Sequence, residues 1–346
     1  MACRSWATTP TPNDHVRPGD GCRVRRAYRN VTRQRARRRW FEQAFGPASE
    51  RSDDEPIYVL MVNDGEFGQM ALNWFAMASA RGIPGLVSGA VRSGLIYGID
   101  DEIVRKATSR GIPAFPMDEY DAHLHHQGSV GSGVKRWVWP LMVDLLSAGY
   151  SVVFMDADAL LLQPLDKHLR DSEPHPIDVG YFYNEAKQQW QDRDQHRSSV
   201  DIPPQVYAEA DVLAQHEMQS SKLPDHGPLN TGVVFFRAGC RALMLAETFL
   251  FLNVLEMQTN GQYWFNHILK SPRLAAVQVG MFSRKHVTSV DFSADGNRLV
   301  HGCQHASGLP DQLVVAHFQV GHKIKRSIMK DCGLWSIHAS QTGVEV

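Results

Sequence analysis

No run of apolar residues in this sequence reaches the roughly 18 needed to cross a bilayer as a helix. The nearest, Ala242 to Leu255, is broken by Glu247 and Asn253. The N-terminal segment lacks the apolar core of a secretory signal. Cysteine is sparse. Cys3, Cys22, Cys240, Cys303 and Cys332 are odd in number and form no C-x-x-C pair, so they read as buried or idle thiols, with neither a disulfide framework nor a zinc site expected. No segment repeats. Net charge is nearly absent too, -1 over 346 residues, so overall charge names no partner.

What is present is unevenly spread. Residues 1–52 hold 12 Arg against 4 acidic residues, a surplus of +8, while the remainder carries 24 basic against 33 acidic side chains, or -9. The head is Pro-, Gly- and Arg-rich. Its run Arg33-Gln-Arg-Ala-Arg-Arg-Arg39 fits a disordered, solvated tail, a nuclear or phosphate-binding patch, or an organelle-targeting tail. Asn30-Val31-Thr32 fits the N-glycosylation pattern. The acidic body carries no nucleic-acid recognition motif. With 43% apolar residues, the chain is rich enough for a substantial core.

From residue 57 on, strand and helix signals alternate. Ile57 to Val62 reads as a strand entering the loop Asn63-Asp64-Gly65. Met70, Trp74, Met77 and Ala78 share a helical face that ends at Arg81-Gly82. Leu95 to Ile99 is a second strand, Asp100-Asp101-Glu102 opens a helix ending at Gly111, and Ala114-Phe115 is a third strand. Asp118 to Gly133 reads as a loop, whose His123, His125 and His126 fit either solvation or a metal. Val134 to Ala148 is a helix capped by Gly149, and Ser151 to Met155 a strand. Lys187 to Gly227 is a polar, Pro-punctuated excursion of the lid or acceptor-loop kind. Further strands are expected at Thr231–Arg237, Leu274–Val279 and Leu313–His317, with helices at 241–257 and 263–269. Such alternation predicts an α/β fold with a mainly parallel, Rossmann-like central sheet flanked by helices, in which ligands sit at the carboxyl ends of the strands.

That rule gives meaning to Gly149-Tyr-Ser-Val-Val-Phe-Met-Asp156-Ala-Asp158-Ala-Leu-Leu-Leu-Gln-Pro164. A D-x-D alone is a poor signal, and Asp192-Arg-Asp194 repeats it in a polar loop. Asp156 and Asp158, however, follow directly on a buried strand, so both carboxylates reach the crevice. Two like charges beside an apolar strand repel and lose hydration. A divalent cation relieves both problems and bridges to substrate phosphates. A departing sugar diphosphate needs that neutralisation. The alternative is one capping and one surface aspartate.

The stretch from Lys135 through Pro164 resembles the nucleotide-diphospho-sugar transferase family, which includes plant cell-wall arabinosyl- and xylosyltransferases. Its pattern of a lysine opening a helix, Gly-Tyr, an apolar strand, D-x-D, an apolar run and a proline is met by Lys135, Gly149-Tyr150, Asp156-Ala-Asp158, Ala159 to Leu162 and Pro164. Asn63 and Asn73-Trp74 resemble the family's first strand–loop–helix, and Leu95 to Asp100 its second strand. Leu229-Asn230-Thr-Gly232-Val-Val-Phe-Phe-Arg237 resembles its Asn-x-Gly strand. Gln262-Tyr-Trp-Phe-Asn266 resembles its Asp-Gln…Phe-Asn segment. His317-Phe318, Gly321, Lys325 and Gly333-Leu334-Trp335 resemble its closing segment. The resemblance runs from about residue 56 to 336 in unbroken order.

It implies a single-domain GT-A fold over 53–338, between a basic tail (1–52) and a C-terminal tail (339–346). It also implies a glycosyltransferase (hexosyl- or pentosyltransferase), a nucleotide-sugar donor such as a UDP-sugar, Mn²⁺ or Mg²⁺, retention of configuration, a glycan or glycoprotein acceptor, and the Golgi or another endomembrane lumen. By this resemblance Asp156, Asp158 and His317 hold the metal. Asn63, Lys135, Asp156, Asn230, Lys323 and Lys325 meet the donor, and Gln262 joins Asp156 and Asp158 in the chemistry. Bland alternatives remain: a core histidine at 317, solvated lysines at 323 and 325, a strand cap at Asn230, and an ordinary first-turn helix residue at Lys135. Two departures stand out. Gly261 replaces the family's Asp before Gln262, which keeps open a catalytically degenerate binding module. Leu86 to Gly94 is longer than the pattern. A haloacid-dehalogenase-type phosphohydrolase is a further alternative, although its pattern wants Thr or Val where this chain has Leu160.

Overall fold

The structure is a computed structural model that describes residues 31–88, 90–120, 138–170, 181–184, 189–192, 210–216, 229–255, 261–269, 274, 277–283, 286–290, 313–318 and 322–337. Its strands are β1 (Ile57–Val62), β2 (Gly94–Gly98), β3 (Ala114–Pro116), β4 (Val152–Met155), β5 (Ala159–Leu161), β6 (Tyr181–Asn184), β7 (Gln189–Asp192), β8 (Val212–His216), β9 (Leu229–Phe236), β10 (Val279–Met281), β11 (Val287–Val290) and β12 (Val315–Phe318). The helices are α1 (Val31–Phe45), α2 (Glu66–Ala80), α3 (Asp101–Thr108), α4 (Val138–Ser147), α5 (Leu165–Arg170), α6 (Cys240–Leu255), α7 (Gly261–Ile268) and α8 (His322–Asp331).

The central sheet has the order β10-β8-β9-β4-β1-β2-β3. β9 alone runs against its neighbours, pairing antiparallel with both β4 and β8. The sheet is therefore mainly parallel and the fold is α/β, as the alternation of signals predicts. Its middle strands read as unbroken apolar runs because both faces are covered. Period-two alternation then divides each strand between two cores. Tyr58, Leu60, Val153 and Met155 face a layer built by α2, α3, α8 and the small sheet β11-β12-β5. Ile57, Val59, Val152 and Phe154 face α1, α4, α6 and α7. The strand order reverses at β1/β4. A crevice at the carboxyl ends of those two strands is the fold's natural ligand position.

Four expectations need correction. Residues 31–45, assigned by composition to a solvated head, form α1. Arg37, Phe41 and Phe45, spaced by four residues, are all buried. That stripe is hidden in composition by the arginines between its members. The excursion after Lys187 contributes β8 to the central sheet. Only five residues long and ending in Gln215-His216, β8 gives little strand signal. The strand expected at 274–279 begins instead at Val279, with Leu274 buried ahead of it. Cys240 and Cys332 are each disulfide-bonded, contrary to the expectation of idle thiols; odd number and spacing in the sequence carry no signal of it. Residues 1–30, His123, His125 and His126 lie outside the described residues. No helix among the described residues is long and apolar enough to cross a membrane.

Candidate active site

The site begins where β4 leaves the sheet. The Asp156 amide donates to the Gly232 carbonyl on β9 (2.7 Å), and the Ala159 amide donates back to the Asp156 carbonyl (2.9 Å). Asp156-Ala-Asp158 is thus a tight turn between β4 and β5. β5 pairs antiparallel with β12, placing Ala159 opposite His317. The Phe318 amide closes the corner on the Asp158 carbonyl (2.9 Å). From α2, the Trp74 indole donates to the Ala159 carbonyl (2.9 Å). Backbone and indole together fix the turn before any side chain is considered.

The turn brings three possible ligand atoms together. Nε2 of His317 lies 3.8 Å from Asp156 Oδ2 and 3.7 Å from Asp158 Oδ1. These three residues supply donor atoms within 4.8 Å of one another, the one such group of His, Cys, Asp and Glu among the described residues. Asp158 and His317 are each 4% exposed, while Asp156 opens more toward solvent. Two oxygens and one imidazole nitrogen suit a hard or borderline divalent cation. The histidine is prepared for that role: its Nδ1 sits 2.8 Å from Gln215 Oε1 on β8. With Nδ1–H donated to Gln215, Nε2 keeps its lone pair toward the carboxylates. The residues present therefore fit a metal.

Neighbouring residues explain the local sequence. A Cβ at Gly232 would stand 2.1 Å from His317 Cε1, so the imidazole can lie across β9 only over glycine. Asn230 Oδ1 accepts the Gly232 amide (2.6 Å) and is buried, so it shapes the start of β9 at the edge of the site. Asn266 on α7 clamps Leu229 through both backbone groups (3.0 and 2.8 Å) and donates to the Gln262 carbonyl (2.9 Å). The Gln262 backbone is thereby tied through Asn266 to the beginning of β9. Asn63 follows directly on Val62, the last residue of β1. Its carbonyl approaches Gly68, where a Cβ would lie 2.8 Å away.

The closing segment is wired to α2. Asn73 donates to the Leu334 carbonyl (2.9 Å) and accepts from the Ser336 amide (2.7 Å). Arg326 donates to Gln69 (2.9 Å) and stacks over Trp335. This holds α8 so that Lys325, 7% exposed, donates from Nζ to Asp158 Oδ2. Lys323 lies on α8, but its side chain is outside the described residues, as is the whole of Lys135. Gln215 went unrecognised in the sequence. It sits in a polar stretch and carries no motif; only the fold shows that it anchors the histidine.

No match to this chain is found among curated protein sequences. Among solved structures it is similar to the apo form of WbbM, a bifunctional glycosyltransferase, at 9% identity, covering 80% of this chain and 49% of that one, with a TM-score of 0.41. It thus spans about half the length of that protein. It is also similar to a glycosyltransferase involved in glycosylation of the major capsid of PBCV-1 (9% identity, 80% and 100% covered, TM-score 0.38). A third is mouse xyloside xylosyltransferase 1 in its apo form (8% identity, 76% and 97% covered, TM-score 0.40). In sequence, the profile of the nucleotide-diphospho-sugar transferases matches residues 90–329. That span is more than two thirds of the chain and includes both the β4 turn and the histidine strand that meets it. This chain belongs to the nucleotide-diphospho-sugar transferase family.

Proposed function

We propose that the chain transfers a sugar from a UDP-sugar to a hydroxyl of a glycan or glycoprotein, with retention of anomeric configuration, using Mn²⁺ or Mg²⁺ at Asp156, Asp158 and His317. The observation carrying this reading is the convergence of those three side chains at the carboxyl end of β4, with His317 oriented by Gln215. A cation bound there supplies positive charge against the diphosphate as the bond to the sugar weakens. The chain's own residues do the rest. Trp74 and the β5–β12 pairing hold the turn rigid, so the carboxylates need no rearrangement. Asn63 and Asn230 border the crevice where a nucleotide would lie. Lys135 and Lys323 are assigned to the donor on the family resemblance. The acceptor is assigned to the Lys187–Gly227 excursion and to the segment around Gln262.

The reaction breaks the bond between the anomeric carbon and the diphosphate oxygen. A new bond forms from the acceptor hydroxyl oxygen to that carbon, and the hydroxyl proton leaves with the UDP side. Disulfides at Cys240 and Cys332 suit an oxidising compartment, which supports placement in the Golgi or another endomembrane lumen. A second reading, a sugar-nucleotide-binding module without turnover, is favoured by one observation. Gly261, at the first position of α7, carries no carboxylate.

A panel of UDP-sugars tests both readings by release of UDP. The 346-residue chain should release UDP from at least one donor only when Mn²⁺ is present, and Asp158→Asn should not. Binding of UDP without release from any donor or acceptor would support the module instead. No binding of UDP at all would contradict both.

A further inference from the structure

We infer that Lys106 and Asp100 are positioning residues for the donor: between them they hold the loop Asn63-Asp64-Gly65 in the form that receives a nucleotide. This rests on the donor-site reading above, in which Asn63 borders the crevice. It adds two residues that lie on the other side of β1 from the carboxylate turn, where β2 and α3 stand.

The observation is that the amide and the carboxylate of Asp64 are both held from α3. The amide donates to Asp100 Oδ2 (2.7 Å). The carboxylate accepts from Lys106 Nζ at both oxygens (3.0 and 2.9 Å). Asp100 uses its other oxygen, Oδ1, to accept the Ile103 amide (2.9 Å) and so caps α3. The loop is thereby tied by main chain and side chain to one helix, which buried Ile103 and Ala107 anchor in the core. Such a tie matters at this place. Gly65 has φ +101°, a conformation that glycine adopts freely, and it opens α2 without a side-chain cap. β1 and β4 run parallel with Leu60 opposite Met155, the residue before Asp156. The loop therefore leaves the sheet at the same end as the carboxylate turn.

The pair contributes little to the fold. Lys106 and Asp64 are 25% and 31% exposed, so solvent screens their attraction. Lys106 also meets Glu102 one turn back on α3 (3.3 Å), a contact that survives any change at Asp64. What the pair does settle is the form of three residues between β1 and α2. A loop already held in its binding form adds no ordering cost when a ligand arrives. A loop that visits other forms lowers the apparent affinity in proportion to the fraction of time it spends in the right one. Lys106 and Asp100 thus act on the donor through Asn63 and its neighbours, with no contact of their own to the ligand required.

The test is UDP affinity in the presence of Mn²⁺, measured on the 346-residue chain and two variants, with thermal unfolding read beside it. Asp100→Asn keeps an oxygen for the Ile103 amide, since asparagine caps a helix as well as aspartate does, but sets an amide group against the Asp64 N–H. Lys106→Met removes the ammonium and keeps the length of the side chain. Each should melt close to wild type and bind UDP roughly five- to tenfold more weakly, as a loop competent for only a fifth to a tenth of the time would. Lys106→Arg should restore most of the affinity. With a UDP-sugar that is turned over, KM for the donor should rise while kcat holds, a split that a merely structural role would not produce. Folded variants that bind UDP within about twofold of wild type would overturn the inference and leave the donor site standing. If neither variant folds, amide hydrogen exchange in wild type decides. The Asp64 amide should be protected before UDP is added, and protection that arises only with UDP would overturn the inference. Wild type that does not bind UDP at all would end the donor-site reading and this inference with it.

Discussion

Among the described residues, two buried ion pairs lie on opposite faces of the sheet, and they differ in what surrounds them. Beneath α1, Arg37 Nε donates to Asp144 Oδ2 (2.5 Å), with both side chains 3% exposed. Tyr120 donates its hydroxyl to the same oxygen (2.9 Å), and the guanidinium lies over the Tyr120 ring. One positive charge meets one negative charge among aromatic rings. Beside β4, Lys325 meets Asp158 with a second carboxylate and a histidine within reach. The first pair pins a helix. The second belongs to a group of two carboxylates and an imidazole, the kind of donor set a divalent cation takes. Burial of charge alone does not distinguish structure from chemistry; the donor groups gathered around it do.

Arg37→Ala should break the comparison most severely on the structural side. It removes the buried positive charge facing Asp144 and leaves the Tyr120 hydroxyl on the same oxygen, so about 3–5 kcal/mol of stability should be lost. Thermal or denaturant unfolding measures this. Mn²⁺-dependent UDP affinity of the protein still folded should be unchanged, because the pair lies across the sheet from the site. For the same reason, a fragment that starts at residue 53 is a poor substitute for the chain: it discards Arg37, Phe41 and Phe45.

Gln215→Leu sharpens the comparison on the other side. It should leave the fold intact and weaken Mn²⁺ affinity by roughly 10- to 100-fold, the usual effect of removing the group that orients a ligating histidine. Mn²⁺ titration in the presence of UDP reads it directly. An unchanged affinity would mean that the strands alone orient His317.

The smallest effect is expected at Tyr97, whose buried hydroxyl has no hydrogen-bond partner among the described residues. Tyr97→Phe should be neutral or stabilising by up to about 1 kcal/mol. Burial, and after it the Asp144 charge, raises the Tyr97 phenol well above the ordinary value of 10.0, and the same causes raise that of Tyr120. A raised folded pKa means stability that is complete below the unfolded value and lost as pH climbs beyond it. Unfolding measured above pH 10 should therefore fall less steeply in Tyr97→Phe than in wild type.

Much of the site was legible in the sequence because its signals are local. Asp156 and Asp158 follow an apolar strand, and the strand's end fixes where they point. The Asn230-x-Gly232 pattern acquires a reason in the structure: the imidazole of His317 rests where a side chain at 232 would be. His317 itself follows an apolar run and is joined to the carboxylates by strand pairing. What stayed hidden depends on contacts across long separations. Gln215 matters only because β8 lies beside β9. Lys325 is matched to a donor lysine by resemblance, but its contact with Asp158 shows only once α8 is placed against the β4 turn. The α1 stripe was masked by composition, because five arginines in seven residues outweigh two phenylalanines in any average.

The most direct test of the donor site is calorimetric titration of UDP into the 346-residue chain, with and without Mn²⁺, and into Asp158→Asn. Binding that requires Mn²⁺ and weakens by at least about 100-fold in the folded variant, as loss of a carboxylate ligand should cause, is the predicted result. Binding of UDP to wild type and Asp158→Asn alike, or binding indifferent to Mn²⁺, would contradict the assignment of these carboxylates to the donor's metal.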